Sequence, residues 1–312
     1  METDILIVGA GLTGLNAARE IHETAPDLRV LVTDAGGGAS SEIMGFSAPV
    51  NPPDSAEILC SDTLASGGGC SDPELVRILA DRAVTEMRRL ETMGIRFDRT
   101  PDGLYSMVNA VGTSFPRVVH SGTTTGKQAI ALLNTEVLKT RIVRLALGTQ
   151  GVAGAWTEHG EFIRARAVVL AGGGFAGLWK FSTWSKNLRG DPAVLALEAG
   201  AELRDLQFVQ FEPTVTVHPS NLAGFPVITT VLHEGAKLLN RRGESLLKPG
   251  ENVPRKRELA ERILREIRAG NGWERGGIRY DFSGVNETAF AAKYPEYHLK
   301  FKRISPVFNE LW

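Results

Sequence analysis

The stretch Asp4-Ile-Leu-Ile-Val8-Gly9-Ala-Gly11-Leu-Thr-Gly14 decides the fold. Its first five residues are almost wholly apolar and glycines follow at once, which is typical of a buried strand that ends in a tight turn. An alanine-rich, helix-like segment runs to about Glu23, and a second β-rich run, Leu28 to Thr33, is closed by Asp34. This order predicts a βαβ unit of the dinucleotide-binding kind, with its acidic residue 20 positions after Gly14.

Each glycine of this turn has a physical reason. Gly9 permits the tight turn, Gly11 lets the backbone approach a pyrophosphate, and Gly14 lets the helix pack closely on the strand. The helix N-terminus offers free N–H groups to a phosphate, and Asp34 can accept hydrogen bonds from a ribose. A plain βα turn without a ligand is the alternative, but the complete βαβ context favours a nucleotide site.

Composition excludes several other classes. The 312 residues carry 35 basic and 36 acidic side chains, so no strong positive field is available to recruit nucleic acid. Apolar runs such as residues 167–171 are far shorter than the ~20 residues of a membrane span, and no basic segment precedes an apolar one at the N-terminus. We therefore expect a cytoplasmic protein without a membrane span. The two cysteines and six histidines lack metal-ligand spacing, so we expect no metal site.

Periodicity and turn signals predict the remaining elements. Residues 36–53 form a loop rich in Gly, Ser and Pro, and Leu75 to Met93 forms a helix whose apolar positions Leu75, Ile78, Leu79, Ala83, Met87 and Leu90 face the core. Further elements are expected as a helix over Gly126–Leu133, a strand over Arg166–Ala171, a strand over Val227–Leu232 and a helix over Glu258–Arg268. The change of character near residue 222 predicts two domains, over residues 1–221 and 222–312.

Several motifs follow one another in a specific order along the chain. They are Gly9-Ala-Gly11-Leu-Thr-Gly14, Ser40-Ser41…Gly45-Phe46, His120-Ser-Gly…Thr125-Gly126, Ala171-Gly172-Gly173, Gly190-Asp191, Phe208-Val-Gln-Phe-Glu-Pro-Thr214 and Glu234-Gly235-Ala236. This series resembles the flavoprotein family of succinate dehydrogenase, fumarate reductase and L-aspartate oxidase, from residue 4 to about 270.

The resemblance implies a Rossmann-like α/β FAD-binding domain with a parallel central sheet, followed by a smaller α+β capping domain. It also implies hydride exchange between FAD and a small organic acid or a related substrate. Members with covalent flavin carry a histidine in the segment after Asp34, and residues 35–45 contain none, so we expect noncovalent FAD. The residues expected at the cofactor are Gly9, Gly11, Leu12, Thr13, Gly14, Asp34, Ala35, Ser40, Ser41, Gly45, Phe46, Gly172, Gly173 and Asp191.

The substrate side departs from the family pattern. Glu212 stands before Pro213-Thr214 where the family has histidine. Where the family has a Thr-Glu or Ser-Glu that carries the proton-relay glutamate, this chain has Ile228-Thr229-Thr230, which leaves Thr229 as the candidate hydrogen-bond donor. A dicarboxylate is therefore a poorer candidate substrate. The residues expected on the substrate side are Glu212, Thr214, His233 and Glu234, and the catalytic candidates are Thr229 with Lys256 or Arg257 of the run Arg255-Lys256-Arg257.

Family members also continue beyond the capping domain with substrate and FAD residues that have no counterpart before Trp312. We therefore expect a partner polypeptide or a homo-oligomer to complete the site. Two alternatives stay open on the sequence, an NAD-dependent dehydrogenase and a noncatalytic or split flavoprotein subunit.

Overall fold

The computed structural model describes residues 1–133, 135–180, 182–218, 220, 223–274, 276–304 and 310–311. The helices are α1 (Leu12–Thr24), α2 (Ala56–Ser66), α3 (Pro73–Met93), α4 (Thr125–Leu132), α5 (Asp191–Glu198), α6 (Lys256–Arg268), α7 (Glu287–Lys293) and α8 (Pro295–Ile304). The strands are β1 (Ile5–Val8), β2 (Val30–Asp34), β3 (Gly45–Ser47), β4 (Met107–Val108), β5 (Val118–His120), β6 (Val137–Lys139), β7 (Ile142–Gly148), β8 (Gly151–Thr157), β9 (Phe162–Arg164), β10 (Ala167–Leu170), β11 (Lys237–Leu239), β12 (Arg279–Asp281) and β13 (Glu310–Leu311).

The chain forms two compact units whose segments interleave along the sequence. The first unit contains Met1–Gly45, Leu90–Arg96 and Ser121–Phe208, and the second contains Phe46–Arg89, Phe97–His120 and Val209–Trp312. Two segments from the N-terminal half thus pack with the C-terminal third. The division into an FAD-binding and a capping domain at residues 221 and 222 stays a prediction.

A parallel four-stranded sheet forms the centre of the first unit, in the order β10-β1-β2-β6. Ile5 pairs with both Ala167 and Val30, and Val32 pairs with Val137. Leu6 and Ile7 are fully buried, which explains why β1 is apolar on both faces. The α/β class with a parallel central sheet is confirmed, and all four strands end at the same edge.

An antiparallel meander of β7, β8 and β9 also belongs to the first unit. Its buried residues Ala155 and Ile163 share one hydrophobic cluster with Leu6, Val8 and Leu195. This cluster ties the meander and α5 to the central sheet.

The second unit has its own hydrophobic core. Phe290 and Phe301 stack at a centroid distance of 5.9 Å, and both are buried with Leu259 and Tyr280. The sheet β11-β12-β13 and helices α6, α7 and α8 supply these residues. Among the described residues, none of the helices combines the length and apolar character that a membrane span needs.

The structure corrects two expectations for local elements. The strand expected over Val227–Leu232 is wrong, because Thr229–Leu232 is a 3₁₀ turn in which all four side chains are buried. When every residue of a short run is buried, apolar and polar positions do not alternate, so the sequence pattern cannot distinguish a strand from a helical turn.

The helix expected over Leu75–Met93 is present as α3, but the expected core face is partly wrong. Val76, Ala80 and Met87 are buried, whereas Leu75, Ile78 and Leu79 are exposed. Two apolar stripes lie side by side on this helix, and its periodicity alone does not decide which stripe packs inward.

Candidate functional site

The turn between β1 and α1 leaves no room for side chains at two of its glycines. Gly9 has a φ of +113°, and a Cβ there would overlap the carbonyl of Ala171 at the end of β10. A Cβ at Gly14 would overlap the carbonyl oxygen of Gly9. These glycines therefore let β1, β10 and the start of α1 approach one another closely, as the motif predicts.

The N-terminus of α1 is open in the way an anion site requires. Its N-cap residue Gly11 has an ordinary extended backbone with φ of −76° and no side chain to cap the helix. The Leu12 N–H donates to Ser40 Oγ at 3.0 Å, which brings the serine loop beside the helix end. The first turn contains no acidic residue, so the partial positive charge of the helix end is not neutralised locally.

A cleft of about 350 Å³ opens at this edge of the sheet, within the first unit. A second cavity of about 250 Å³ shares Gly11, Asp34 and Ser40 with it. The cleft brings together the predicted cofactor residues Gly9, Gly11, Thr13, Asp34, Ala35, Ser40, Gly172, Gly173 and Asp191, and the second cavity adds Ser41.

The remaining predicted cofactor residues are not among those that line the cleft or the second cavity. Leu12 and Gly14 belong to α1, and Gly45 begins β3. Phe46 is part of the second unit, where its ring meets the edge of Phe97 at a centroid distance of 5.9 Å.

The end of β6 contributes three cleft or cavity residues that the sequence reasoning missed. Lys139 Nζ lies 2.9 Å from Asp34 Oδ2, and Arg141 forms an ion pair with Asp191. Thr140 lies between them, 5% exposed, and its hydroxyl has no hydrogen-bond partner among the described residues. Both predicted acids at the cofactor thus have basic partners. The one feature that could have pointed to these residues is their position at the end of β6. This strand pairs in parallel with β2, so both strands end at the same edge of the sheet.

These features fit the adenosine diphosphate part of a dinucleotide. The glycine turn and the start of α1 suit a pyrophosphate, and Asp34 suits a ribose. The buried Thr140 hydroxyl, which has no hydrogen-bond partner among the described residues, suits a polar group of the same ligand. Residues 4–307 match the family of the FAD binding domain.

The chain belongs to this FAD-binding family.

Curated relatives agree with this assignment. A fumarate reductase (CoM/CoB) subunit of Methanothermobacter marburgensis is 32% identical over 325 aligned positions, covering 96% of this chain and 59% of that protein. L-aspartate oxidase of Agrobacterium fabrum is 32% identical, covering 94% of this chain and 58% of that protein. Sdh1 of Mycobacterium smegmatis superposes with a TM-score of 0.80 at 29% identity, covering 100% of this chain and 58% of its own. The chain thus spans somewhat under three fifths of the length of these proteins.

In this FAD-binding chain, two predicted substrate residues of the second unit have well-defined partners. Glu212 Oε2 lies 2.8 Å from Lys256 Nζ, and both side chains are half-buried. Thr214 donates its hydroxyl to the Val227 carbonyl at 2.8 Å and accepts from Tyr280 OH at 3.1 Å. Burial raises the pKa of Tyr280 far above its usual value, so its hydroxyl stays protonated and donates. Thr214 therefore holds the fold of its own segment.

The carboxylate of Glu234 is bonded within the second unit, whereas the side chain of His233 is exposed. Glu234 Oε1 lies 2.6 Å from Lys293 Nζ and accepts from Tyr294 OH at 3.1 Å. Its carboxylate is therefore engaged within the unit. His233 is exposed, but partial desolvation lowers the pKa of its imidazole, against the opposite effect of Glu234.

The three basic residues at the start of α6 point to different partners. Arg255 is the N-cap residue, 3.7 Å from Glu258, and Arg257 lies 4.0 Å from Glu261. Lys256 is paired with Glu212, 44 positions earlier in the chain. Of the three, Lys256 is the residue that a long-range ion pair fixes in place. Within the described part of the chain, no group of three His, Cys, Asp or Glu side chains forms a metal site.

Proposed function

We propose that this chain is the FAD-binding part of an oxidoreductase that holds FAD noncovalently and exchanges hydride with a small organic acid or a related substrate. The observation that carries the proposal is the cleft at the sheet edge, where the β1–α1 turn, the open end of α1 and Asp34 meet. The absence of histidine from residues 35–45 supports noncovalent binding.

Bound FAD would supply two-electron redox chemistry at its isoalloxazine ring. In this reading the backbone at Gly11 and the N–H groups of α1 bind the pyrophosphate, and Ser40 keeps the loop against that helix end. Asp34 accepts hydrogen bonds from the ribose hydroxyls, while the ion pair with Lys139 at 2.9 Å orients the carboxylate. Gly172, Gly173 and Asp191 also line this cleft.

For the proton that accompanies hydride transfer, we propose Lys256 as the donor, with Arg257 as the alternative. A lysine ammonium gives up a proton at neutral pH more readily than a guanidinium does. The Glu212 carboxylate holds the Lys256 side chain in place at 2.8 Å.

Thr229 belongs to the same neighbourhood. Val215 pairs antiparallel with Pro226, and the Val227 N–H donates to the Thr214 carbonyl at 3.0 Å. Glu212 and Thr229 both lie just beyond one end of this short ladder, so the fold favours a shared role for them. A carboxylate at this end disfavours a substrate with a second carboxylate, even with Lys256 beside it.

The proposal extends to partners and location. A relative that is named as a subunit supports a partner polypeptide, and a second copy of this chain is the other possibility. The near-zero net charge argues against binding to nucleic acid. We also propose a cytoplasmic location.

The first experiment is a visible absorption spectrum of the purified chain, before and after addition of FAD and gel filtration. We expect a flavin spectrum that persists through the column. With that holoprotein, a panel of organic acids is then screened with an artificial electron acceptor. The variants Lys256→Gln and Arg257→Gln separate the two donors, because only loss of the true donor removes turnover while the bound flavin stays. A colourless protein after FAD addition would contradict the proposal.

A noncatalytic flavoprotein subunit is the second candidate. The departures at Glu212 and Thr229, and the ion pair that occupies Lys256, favour it. FAD retention without turnover of any acid in the panel would support this reading over the first. The match to an FAD-binding family speaks against the third possibility, a nicotinamide-dependent dehydrogenase.

A further inference from the structure

Thr140 combines three properties that rarely occur together. It lines the cleft, it is 5% exposed, and its hydroxyl has no hydrogen-bond partner among the described residues. Its backbone is fixed, since the Thr140 N–H donates to the Asp34 carbonyl at 3.1 Å. Buried polar groups are nearly always bonded, so this exception needs an explanation.

The neighbours of Thr140 place it at a particular end of the cleft. Lys139 is paired with Asp34 and Arg141 with Asp191, so the side chains on both sides are already engaged with acids. Of these three neighbouring side chains, Thr140 is the one whose polar group has no hydrogen-bond partner among the described residues. Because Asp34 is the proposed ribose acid, Thr140 lies at the adenosine end of the cleft.

The hydroxyl oxygen itself has almost no exposed surface. A rotation of about 120° about χ1 exchanges the hydroxyl of a threonine with its methyl group, which stays within the staggered rotamers. Such a rotation can turn the oxygen toward a ligand without movement of the backbone.

We propose that Thr140 is a binding residue for the adenosine half of the dinucleotide and that its hydroxyl forms a hydrogen bond only when this half is bound. A hydroxyl both donates and accepts, so it matches the ring nitrogens and the amino group of adenine as well as a ribose hydroxyl. The inference rests on the proposed FAD site. It adds a residue whose hydroxyl lowers the stability of the FAD-free protein and strengthens the binding of FAD.

The test is Thr140→Val, which keeps the shape and removes the hydroxyl. In the protein stripped of FAD, the melting temperature should rise, because an unsatisfied buried group is gone. In titrations of the stripped protein, the dissociation constants of FAD and of ADP should both increase by about tenfold, the size expected for one lost hydrogen bond. Thr140→Ser keeps the hydroxyl and should bind both ligands like the wild type.

Thr216→Val is the matched control. The Thr216 hydroxyl is also buried without a partner among the described residues, but it belongs to the second unit and does not line the cleft. This variant should raise the melting temperature and leave the affinity for FAD and ADP unchanged.

Three results would overturn the inference. One is an unchanged FAD and ADP affinity in Thr140→Val, and another is equal weakening in Thr216→Val. A lower melting temperature of stripped Thr140→Val would show that the hydroxyl has a structural partner. A wild-type chain that binds neither FAD nor ADP would instead refute the proposed function, and the inference with it.

Discussion

Two glycines three positions apart should respond to the same substitution in different ways. In Gly14→Ala the new Cβ overlaps the Gly9 carbonyl and also comes to 3.1 Å from Ile7 Cγ2. Backbone must move to relieve this overlap, and overpacking of this kind costs about 1–3 kcal/mol or more. The gain in helix propensity from Gly to Ala, about 1 kcal/mol, offsets part of that cost. Because the overlapping atom is a backbone oxygen that cannot rotate away, the upper end of this range applies, and we expect a net loss of about 2 kcal/mol or more.

In Gly11→Ala the geometry is permissive. The φ of −76° suits any residue, and the one close atom is Ser40 Oγ at 3.0 Å, at the end of a short side chain that can rotate. Loss of the hydrogen bond between the Leu12 N–H and Ser40 costs about 1 kcal/mol. The added methyl group stands where a pyrophosphate would approach the helix end, so FAD affinity should fall at least tenfold.

The assay is a pair of measurements on each purified variant. Urea denaturation without FAD gives the free energy of unfolding, and FAD titration followed by flavin fluorescence gives the affinity. Gly14→Ala should lose stability more than Gly11→Ala, and Gly11→Ala should lose affinity out of proportion to its stability. Full FAD affinity in Gly11→Ala, confirmed in the bulkier Gly11→Val, would refute the assignment of the turn to the pyrophosphate.

Two further predictions concern charged groups of the second unit. Arg117 is fully buried between Asp54 and Asp62, both at 2.8 Å, so Arg117→Met should destabilise the chain by about 3–5 kcal/mol in urea denaturation, and a loss below about 1 kcal/mol would contradict a structural role. A hydrogen bond from Arg262 lowers the pKa of Glu251 to about 2, so this pair stabilises the fold fully above pH 4.5 and loses its effect as the pH falls toward 2. Melting curves between pH 6 and 2 should show a smaller loss of stability on acidification for Arg262→Gln than for the wild type, and parallel pH profiles would exclude the pair as a source of acid sensitivity.

The local part of the proposed FAD site could be predicted from the sequence because its chemistry is local. The strand, the glycine turn, the helix start and the acid at Asp34 are all set within about thirty residues, by an apolar run and by positions that only glycine can occupy. The loop from Ser40 belongs with them, since the Leu12 N–H binds Ser40 across only 28 positions.

Other features of the site depend on chain segments that are far apart in the sequence. Lys139 meets Asp34 across 105 positions because β6 pairs in parallel with β2, and no local pattern records that pairing. Two further ion pairs, Arg141–Asp191 in the first unit and Glu212–Lys256 in the second, also join residues that are far apart in the sequence.

The sequence by itself determined the βαβ unit, the class of the fold and the family, because backbone sterics and burial act residue by residue along a short stretch. Only the tertiary structure decided which stripe of α3 is buried, that Thr229–Leu232 is a turn, and that Thr140 lies in the cleft with an unsatisfied hydroxyl. These outcomes depend on which surfaces meet when distant segments pack, and that choice is made by the sum of many weak contacts over the whole unit.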